Sequence, residues 1–215
     1  VSILNMVLQH YYWCFPKAFT PRLCEDVKRF ALSKEKQTAI TIEEGWDRDS
    51  KKKPLTKKEL KKLKNQRNSD ATWLNEIWLY KELQPFVGEA NRNAKWNFQW
   101  DWSEEVQFTH YGKNQHYDWH CDSHITDVTK NTRGGRIRKL SLIVNLSNPS
   151  DYTGGVLQFD FNNTSVRGVP PHICEAMKEK GSVIVFPSFI WHKVTPVTSG
   201  KRYSLVNWNW GNSFV

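Results

Sequence analysis

Three side chains in the C-terminal half of the chain have the types and spacing of a metal site. His120 and Asp122 are separated by one residue, and His192 follows about seventy residues later. Two imidazoles and one carboxylate occupy one face of a non-haem Fe(II) ion and leave the other face open. Side chains two apart in a strand point to the same side, so His120 and Asp122 can bind one ion. The sequence therefore predicts an iron centre formed by these three residues.

An arginine and a hydroxyl follow His192 at a spacing that suits an anion receptor. Arg202 and Ser204 share a face by the same period of two. A guanidinium binds a carboxylate through two parallel hydrogen bonds, and a hydroxyl adds a third contact. We expect Arg202 and Ser204 to hold the far end of a dicarboxylate whose other end reaches the metal.

The residues around this constellation alternate with the period of strands. From Asn97 onward, turn signals such as Gly112 and Gly154-Gly155 separate short alternating runs. The clearest runs are Val106–His110, Leu140–Val144, Gly155–Asp160, Ser182–Phe186 and Tyr203–Trp208. Six to eight such strands predict a mainly-β fold, a jelly roll or barrel, with N-terminal helices packed on its outside.

The N-terminal part has helical patterns instead. Thr20 and Pro21 form a helix-start signal before an apolar stripe that reaches Leu32. A short surface helix is expected over Thr56–Lys64, and another over about 71–90, divided or interrupted by Pro85.

The length of 215 residues suits one domain. We expect a single unit over 1–215. Residues 1–96 would form its helical support, including a basic segment at 47–68, and residues 97–215 would form its β core.

The positive charge is concentrated in that basic segment. The formal net charge is +9, and residues 47–67 contain ten Lys/Arg against three acids, which is +7 and leaves +2 elsewhere. A like-charge run is typical of a solvated loop, and the alternative is a docking surface for an acidic partner at Lys51–Lys64. A single basic segment on a near-neutral body does not favour nucleic-acid binding.

The sequence has no pattern of export or membrane insertion. No run approaches the roughly 18 apolar residues of a membrane span, and Val1–Leu8 lacks a basic start and a cleavage site. We therefore expect a cytoplasmic, intracellular protein whose four cysteines (Cys14, Cys24, Cys121 and Cys174) are free thiols.

Four longer motifs resemble a known family. They are Tyr117–Asp122, Arg138–Leu142, Tyr152–Leu157 and Phe186–Arg202. As a set over about residues 97–211, they resemble the Fe(II)/2-oxoglutarate-dependent oxygenases, in the prolyl 4-hydroxylase-like branch that includes the PKHD-type hydroxylases. The resemblance implies a double-stranded β-helix (jelly roll), with Fe(II), 2-oxoglutarate and O₂, and adds ascorbate as a cofactor candidate.

The resemblance also assigns roles to single residues. His120, Asp122 and His192 would be the iron ligands, and Arg202 would bind the far carboxylate of 2-oxoglutarate. Tyr111 would help to hold this cosubstrate, and Trp208 would line the pocket. The implied reaction is hydroxylation of a side chain in a peptide, a protein or a free amino acid, with proline favoured. The alternative is a metal-binding β-barrel module that docks an acidic partner.

The sequence leaves the roles of several nearby residues open. His116, His120 and His124 would suit zinc only if they lay on a helix, and the flanking alternation favours a strand and a turn. We therefore expect His116 and His124 in loops near the mouth of the pocket, and no role follows for His110. The aromatic residues of Trp96–Trp102 alternate and suggest a core or sheet-face role, with stacking on substrate rings as the alternative. Asn131–Arg136 is either a lid beside the site or a plain hairpin.

Overall fold

The computed structural model describes residues 8–35, 37–39, 56–123, 135–161 and 170–214. The helices and strands follow one another in the order β1 (Trp13–Phe15), α1 (Pro21–Leu32), β2 (Gln37–Ala39), α2 (Lys57–Gln66), β3 (Arg67–Leu74), α3 (Ile77–Asn93), β4 (Trp102–Ser103), β5 (Val106–Tyr111), β6 (His116–His120), β7 (Arg136–Asn145), β8 (Tyr152–Gly154), β9 (Leu157–Asp160), β10 (His172–Ile173), β11 (Val183–Pro187), β12 (Trp191–Val194), β13 (Val197–Gly200) and β14 (Arg202–Asn212). Short 3₁₀ helices lie at Pro149–Asp151 and Glu175–Lys178. None of the helices in these ranges combines the length and the apolar character that crossing a bilayer requires.

The described strands form one curled antiparallel sheet and a small ribbon. The sheet has the order β1-β11-β7-β14-β5-β3-β6-β12-β9-β10, with β2 added to β3 and β4 to β14, while β13 pairs with β8. The prediction of a mainly-β fold with N-terminal helices is confirmed. Strand β3, from the N-terminal part, lies inside the sheet between β5 and β6.

Strand β11 and residues 142–144 of β7 are apolar on both faces because each face is covered. Leu142 and Val144 lie in a cluster with residues of α1 and α3, on the outer face of the sheet. Ile143 and Phe186 belong to a second cluster inside the curl, with Phe159. A strand that is buried on both sides loses the hydrophobic–polar alternation of a half-exposed strand.

Helix α1 begins and ends where the sequence predicts. The Thr20 hydroxyl accepts a hydrogen bond from the Leu23 amide at 3.1 Å, and Pro21 occupies the first turn, where its missing N–H costs nothing. The buried side chains Cys24, Val27 and Ala31 face the sheet.

The helix predicted over about 71–90 is wrong at its start and at Pro85. The stretch expected to begin a helix at Ala71 belongs to β3, and α3 starts only at Ile77 and continues through Pro85. Pro85 lies on the exposed side of α3, where water can reach the carbonyl group that it leaves unpaired.

The aromatic residues of Trp96–Trp102 lie mainly in the core and not on a sheet face. This stretch forms no strand apart from the short β4. Trp96 is buried in the cluster that Phe98 and Trp100 pack against, and its indole donates a hydrogen bond to the His10 carbonyl at 2.7 Å.

Candidate metal centre

His120 and His192 lie directly opposite each other on paired strands. His120 is the last residue of β6, His192 is the second residue of β12, and the two are register partners. They are 9% and 3% exposed, and their ring centroids are 4.1 Å apart. Cross-strand neighbours on one face of a sheet must have adjacent side chains, so strand pairing alone brings these two imidazoles together.

The hydrogen bonds of both rings fix which nitrogen carries the proton. His120 Nδ1 lies 2.8 Å from the Asp118 carbonyl oxygen, and His192 Nδ1 lies 2.9 Å from that of Ile190. A carbonyl can only accept, so each Nδ1 is the donor, and Nε2 is the nitrogen left to bind a metal ion. Metal-binding histidines are oriented in this way by backbone carbonyls.

Asp122 completes the group just beyond the end of β6. Its Oδ1 is 3.7 Å from His120 Nε2 and its Oδ2 is 3.7 Å from His192 Nε2. The Ser141 hydroxyl donates to Oδ2 at 2.7 Å, and the Asp122 amide donates to the Ser188 carbonyl at 2.8 Å. Register within β6 therefore positions His120, whereas contacts with β7 and the turn after β11 position Asp122.

Electrostatics keep these groups in the protonation states that bind a metal. Burial, followed by the neighbouring His192, lowers the pKa of His120 well below its ordinary value. Burial by itself would raise the pKa of Asp122, but His192, His120, Arg138 and the Ser141 hydrogen bond outweigh it and hold this pKa at about 2. The site consequently combines a neutral imidazole and a carboxylate at neutral pH.

The geometry fits a divalent first-row metal ion. The ligand atoms of His120, Asp122 and His192 all lie within 4.8 Å of one another, and no other such group occurs among the described residues. The 3.7 Å separations are too long for direct hydrogen bonds, and they admit an ion with bonds of about 2.0–2.2 Å to nitrogen and oxygen. Two imidazoles and one carboxylate with open positions are the ligand set that suits Fe(II).

Arg202 is a buried cation without a carboxylate partner in the described part of the chain. It is 3% exposed, begins β14 opposite Tyr111 of β5, and its Nη1 donates to Ser204 Oγ at 3.3 Å. No ion pair joins it to a described acidic residue. Gly155 packs on its stem, since a Cβ there would lie 3.0 Å from Arg202 Cδ and the φ of +58° also favours glycine. A ligand carboxylate would satisfy this guanidinium.

Tyr111 lies beside that cation as a neutral phenol. Its ring centroid is 5.4 Å from the Arg202 guanidinium carbon, and the side chain is 4% exposed. Burial raises the pKa of Tyr111, although the charges of Arg67 and Arg202 oppose the shift. The hydroxyl therefore keeps its proton and can donate to an anionic ligand. The structure thus brings together Arg202, Ser204 and Tyr111 on neighbouring strands.

The sequence interpretation gave no role to Arg138 and Glu104, which lie with Trp208 beside Asp122. Arg138 of β7 makes a two-pronged ion pair with Glu104 at 2.7 and 2.8 Å, and its guanidinium lies 4.1 Å from the centre of the Trp208 ring. Arg138 also reaches the Asp122 carbonyl oxygen at 3.5 Å. The indole Nε1 of Trp208 is buried and has no hydrogen-bond partner among the described residues.

Arg67 is a second buried cation near the metal group. Its guanidinium lies 4.7 Å above the Tyr117 ring, which stacks on the His120 ring at 3.4 Å. One terminal nitrogen, Nη2, is buried without a hydrogen-bond partner in the described residues. The sequence interpretation counted Arg67 only as part of the basic run. The period-two series Arg67, Ser69, Ala71 was the available signal for an inward-facing strand.

The remaining candidates lie outside the metal group. His116 is on β6, not in a loop as expected, and its Nε2 is 2.9 Å from the Asn65 carbonyl oxygen. His110 lies 3.6 Å from Asp70 and stacks on Tyr203, on the helix-covered side. His124 and Asn131–Gly134 lie outside the described residues, as do Lys51–Lys53. All four cysteines are free, as predicted.

A comparison with known protein families bears on whether this metal group belongs to an oxygenase or to a metal-binding module. The family model of the 2OG-Fe(II) oxygenase superfamily matches residues 106–210, which hold the entire metal group and Arg202. The C-terminal part of the chain, residues 106–210, is thus similar to the oxygenase domain of this superfamily. Members of the 2OG-Fe(II) oxygenase superfamily use Fe(II) and 2-oxoglutarate with O₂, and the His120–Asp122–His192 group suits that iron. The resemblance predicted from the motifs is therefore confirmed.

Similar curated proteins are PKHD-type hydroxylases. One from Alteromonas mediterranea is 36% identical over 103 residues, which is 47% of this chain and 41% of the relative. Another, from Shewanella frigidimarina, is 27% identical over 148 residues, 68% of this chain and 60% of the relative. The chain thus matches roughly half of the length of these oxygenase relatives.

Solved structures show the same fold across nearly the whole oxygenase chain. A viral collagen prolyl hydroxylase from Paramecium Bursaria Chlorella virus-1, in its 2OG complex, aligns with a TM-score of 0.63 at 19% identity and covers 94% of this chain and 97% of that one. A Pseudomonas putida prolyl-4-hydroxylase aligns with a TM-score of 0.62 at 19% identity, covering 94% and 92%. The curled sheet is therefore the predicted jelly roll.

Proposed function

We propose that the protein is an Fe(II)- and 2-oxoglutarate-dependent dioxygenase that hydroxylates a side chain of a peptide or protein, with a prolyl residue as the first candidate. The main support for this proposal is that a metal group and a buried arginine lie on strands of the same curled sheet. A metal group with two imidazoles and one carboxylate lies in the same matched region as a buried arginine that lacks a carboxylate partner among the described residues.

Each residue would contribute a separate physical effect. His120 and His192 would present unprotonated Nε2 atoms to the metal, because their Nδ1 protons are held by backbone carbonyls. Asp122 would offset part of the charge of the ion, which leaves room for an anionic cosubstrate. When bound, Fe(II) with 2-oxoglutarate and O₂ supplies the oxidising power for hydroxylation, with conversion of 2-oxoglutarate to succinate and CO₂.

The neighbouring polar groups would orient the two organic molecules. Arg202 and Ser204 would bind the far carboxylate of 2-oxoglutarate, with the Tyr111 phenol as a further donor. Trp208 is the register partner of Ser141, which binds Asp122, and its unpartnered Nε1 would position a polypeptide backbone. A peptide offers the carbonyl acceptors that such buried donors require. The names of the prolyl hydroxylase neighbours support this substrate class.

Turnover without added substrate gives a direct test of this function. We expect slow, iron-dependent conversion of 2-oxoglutarate to succinate by the wild-type protein, stimulated by proline-containing peptides and abolished in Asp122→Ala. Ascorbate is expected to prolong this turnover by keeping the metal reduced. A folded, iron-loaded protein that never forms succinate would contradict the proposal and favour the metal-binding interaction module.

A further inference from the structure

Helix α2 presents a basic surface that the proposed reaction does not use. Its lysines are Lys57, Lys58, Lys61, Lys62 and Lys64, and all are exposed. At about 3.6 residues per turn these five side chains lie on one half of the helix circumference, and Leu63 lies on the other half and is partly buried. The segment is therefore a helix with a continuous cationic face.

Helix α2 is hydrogen-bonded to β6, the strand that carries the candidate metal ligand His120. Gln66 Nε2 donates to the Trp119 carbonyl at 3.0 Å, and the Asn65 carbonyl oxygen lies 2.9 Å from His116 Nε2. Trp119 precedes His120 directly in β6. The C-terminal end of α2 is thus fixed beside the metal group, and its lysines extend away from it along the surface.

A buried cation, Arg67, directly follows the lysine-rich helix α2. Arg67, the residue after α2, is 7% exposed and donates through Nε to Ser69 Oγ at 3.0 Å. Its buried Nη2 has no partner in the described part of the chain. A buried, charged donor without an acceptor is costly, and an acceptor supplied by a ligand would remove that cost. Arg67 reaches His120 through the stacked Tyr117 ring.

Four of the five α2 lysines are not neutralised by a carboxylate of the described residues. Lys57, Lys58, Lys61 and Lys64 make no ion pair with a described acidic side chain. The sequence of α2, Lys57–Gln66, contains neither an aromatic residue nor an arginine. Nucleic-acid surfaces combine positive charge with aromatic stacking platforms and guanidinium groups. Flexible lysines on a helix instead suit carboxylates distributed along an extended chain.

From these contacts we infer that α2 and Arg67 bind an acidic polypeptide segment, and that they select substrates in which Asp or Glu residues flank the hydroxylated side chain. This inference rests on the proposed function, which it deepens by naming a substrate class. The lysine face would capture the flanking acids outside the site, while Arg67 would bind an acceptor close to the metal.

Binding of a model acidic peptide tests the surface separately from catalysis. The probe is a fluorescein-labelled peptide of alternating Glu and Gly around one Pro, compared with the same peptide carrying Gln for Glu. We expect the wild-type protein to prefer the Glu peptide in a fluorescence anisotropy titration, with a preference that weakens as salt is added. The triple variant Lys57→Gln/Lys61→Gln/Lys64→Gln is expected to bind it about tenfold more weakly, as for three exposed ion pairs.

A matched variant separates a local effect from net charge. Lys81→Gln/Lys113→Gln/Lys201→Gln removes the same charge from exposed positions outside α2, and it is expected to bind the Glu peptide like the wild type. Equal weakening in both variants would overturn the inference. So would equal affinity for the Glu and Gln peptides, or tighter binding of a single-stranded oligonucleotide of the same charge.

Proximity to the metal distinguishes substrate docking from an unrelated surface contact. With Mn(II) in the metal group, the proton resonances of the bound Glu peptide are expected to broaden, and the broadening should be absent in His192→Ala. Tight peptide binding without broadening, in protein shown to hold Mn(II), would overturn the substrate part of the inference. If neither Fe(II) nor Mn(II) bound while the peptide still did, the proposed function would fail and the acidic docking surface would remain.

Discussion

Replacement of Arg202 by methionine is expected to weaken cosubstrate binding without weakening the fold. In the described residues the guanidinium has no carboxylate partner, and its contacts are the Ser204 hydroxyl at 3.3 Å and the Tyr111 ring at 5.4 Å. A buried cation held by so few groups contributes little to stability, and its desolvation opposes folding. Methionine has a similar length and no charge. We expect the free energy of unfolding of the metal-free variant to change by less than about 1 kcal/mol, or to rise.

If Arg202 binds the far carboxylate of 2-oxoglutarate as proposed, the same substitution removes two charge-assisted hydrogen bonds to it. At about 1.5 kcal/mol each, the lower end of the range for such bonds, their loss amounts to about 3 kcal/mol, which weakens binding by roughly 100-fold. Anaerobic calorimetric titration of 2-oxoglutarate into the Fe(II)-loaded protein measures this change, and urea denaturation of the metal-free protein measures stability.

Arg136→Met is the matched control, because Arg136 is on the surface and pairs with the exposed Asp101. Arg136→Met should change neither the free energy of 2-oxoglutarate binding nor the free energy of unfolding by more than about 0.5 kcal/mol. Unchanged affinity for 2-oxoglutarate in Arg202→Met would refute the assignment of the carboxylate site. A loss of stability above about 3 kcal/mol would instead show that Arg202 holds the fold together.

Three further substitutions test other parts of the structure. Ser141→Ala removes the 2.7 Å hydrogen bond to Asp122 and is expected to lower metal affinity by about 10–100-fold in a metal titration; unchanged affinity would show that the bond does not orient the ligand. Glu104→Gln leaves the buried Arg138 without its carboxylate and should lower the free energy of unfolding by about 3 kcal/mol, whereas Glu105→Gln on the exposed neighbour should not. Burial lowers the pKa of Lys139 to about 8 from an ordinary value near 10.5, so the unfolded chain binds the proton more tightly and stability should rise with pH between these values. Lys139→Met should therefore be more stable than wild type at pH 7, by about 2 kcal/mol, and should lose that advantage toward pH 10.5; an identical pH profile in both proteins would contradict this reasoning.

Local signals in the sequence were sufficient to predict the residues of the metal group and the start of α1. The one-residue spacing of His120 and Asp122 and the start signal at Thr20-Pro21 each act over a few neighbouring residues. His192 could be placed with them because its strand returns beside β6, as antiparallel strands do in a jelly roll. The identity of the fold itself came from the motifs as a set.

Strand β3 was misread because the buried residues at its start are polar. Arg67 and Ser69 are buried there, Ala71, Thr72 and Leu74 are buried further along, and Trp73 is only partly buried. The usual hydrophobic alternation is therefore lost over the first residues of β3. The apolar residues Trp73, Leu74, Ile77 and Trp78 then span the end of a strand and the start of α3, and together they imitate a helical stripe. Tertiary context overrides such a pattern.

The supporting contacts of the site could not be derived from spacing. Glu104 and Arg138 are 34 positions apart, and Ser141 and Ser188 are 47 positions apart. Each pair meets only when the register of β7 against β14 and β11 is fixed. A shift of one residue would turn these side chains to the opposite face.

The most direct test of the central claim is an anaerobic titration that follows the visible charge-transfer absorption of iron chelated by 2-oxoglutarate. We expect the band to appear in the wild-type protein only when Fe(II) and 2-oxoglutarate are both present. We expect the folded His192→Ala variant to lose the band. A folded wild-type protein that never develops the band would contradict the assignment of His120, Asp122 and His192 as the iron site of a 2-oxoglutarate-dependent oxygenase.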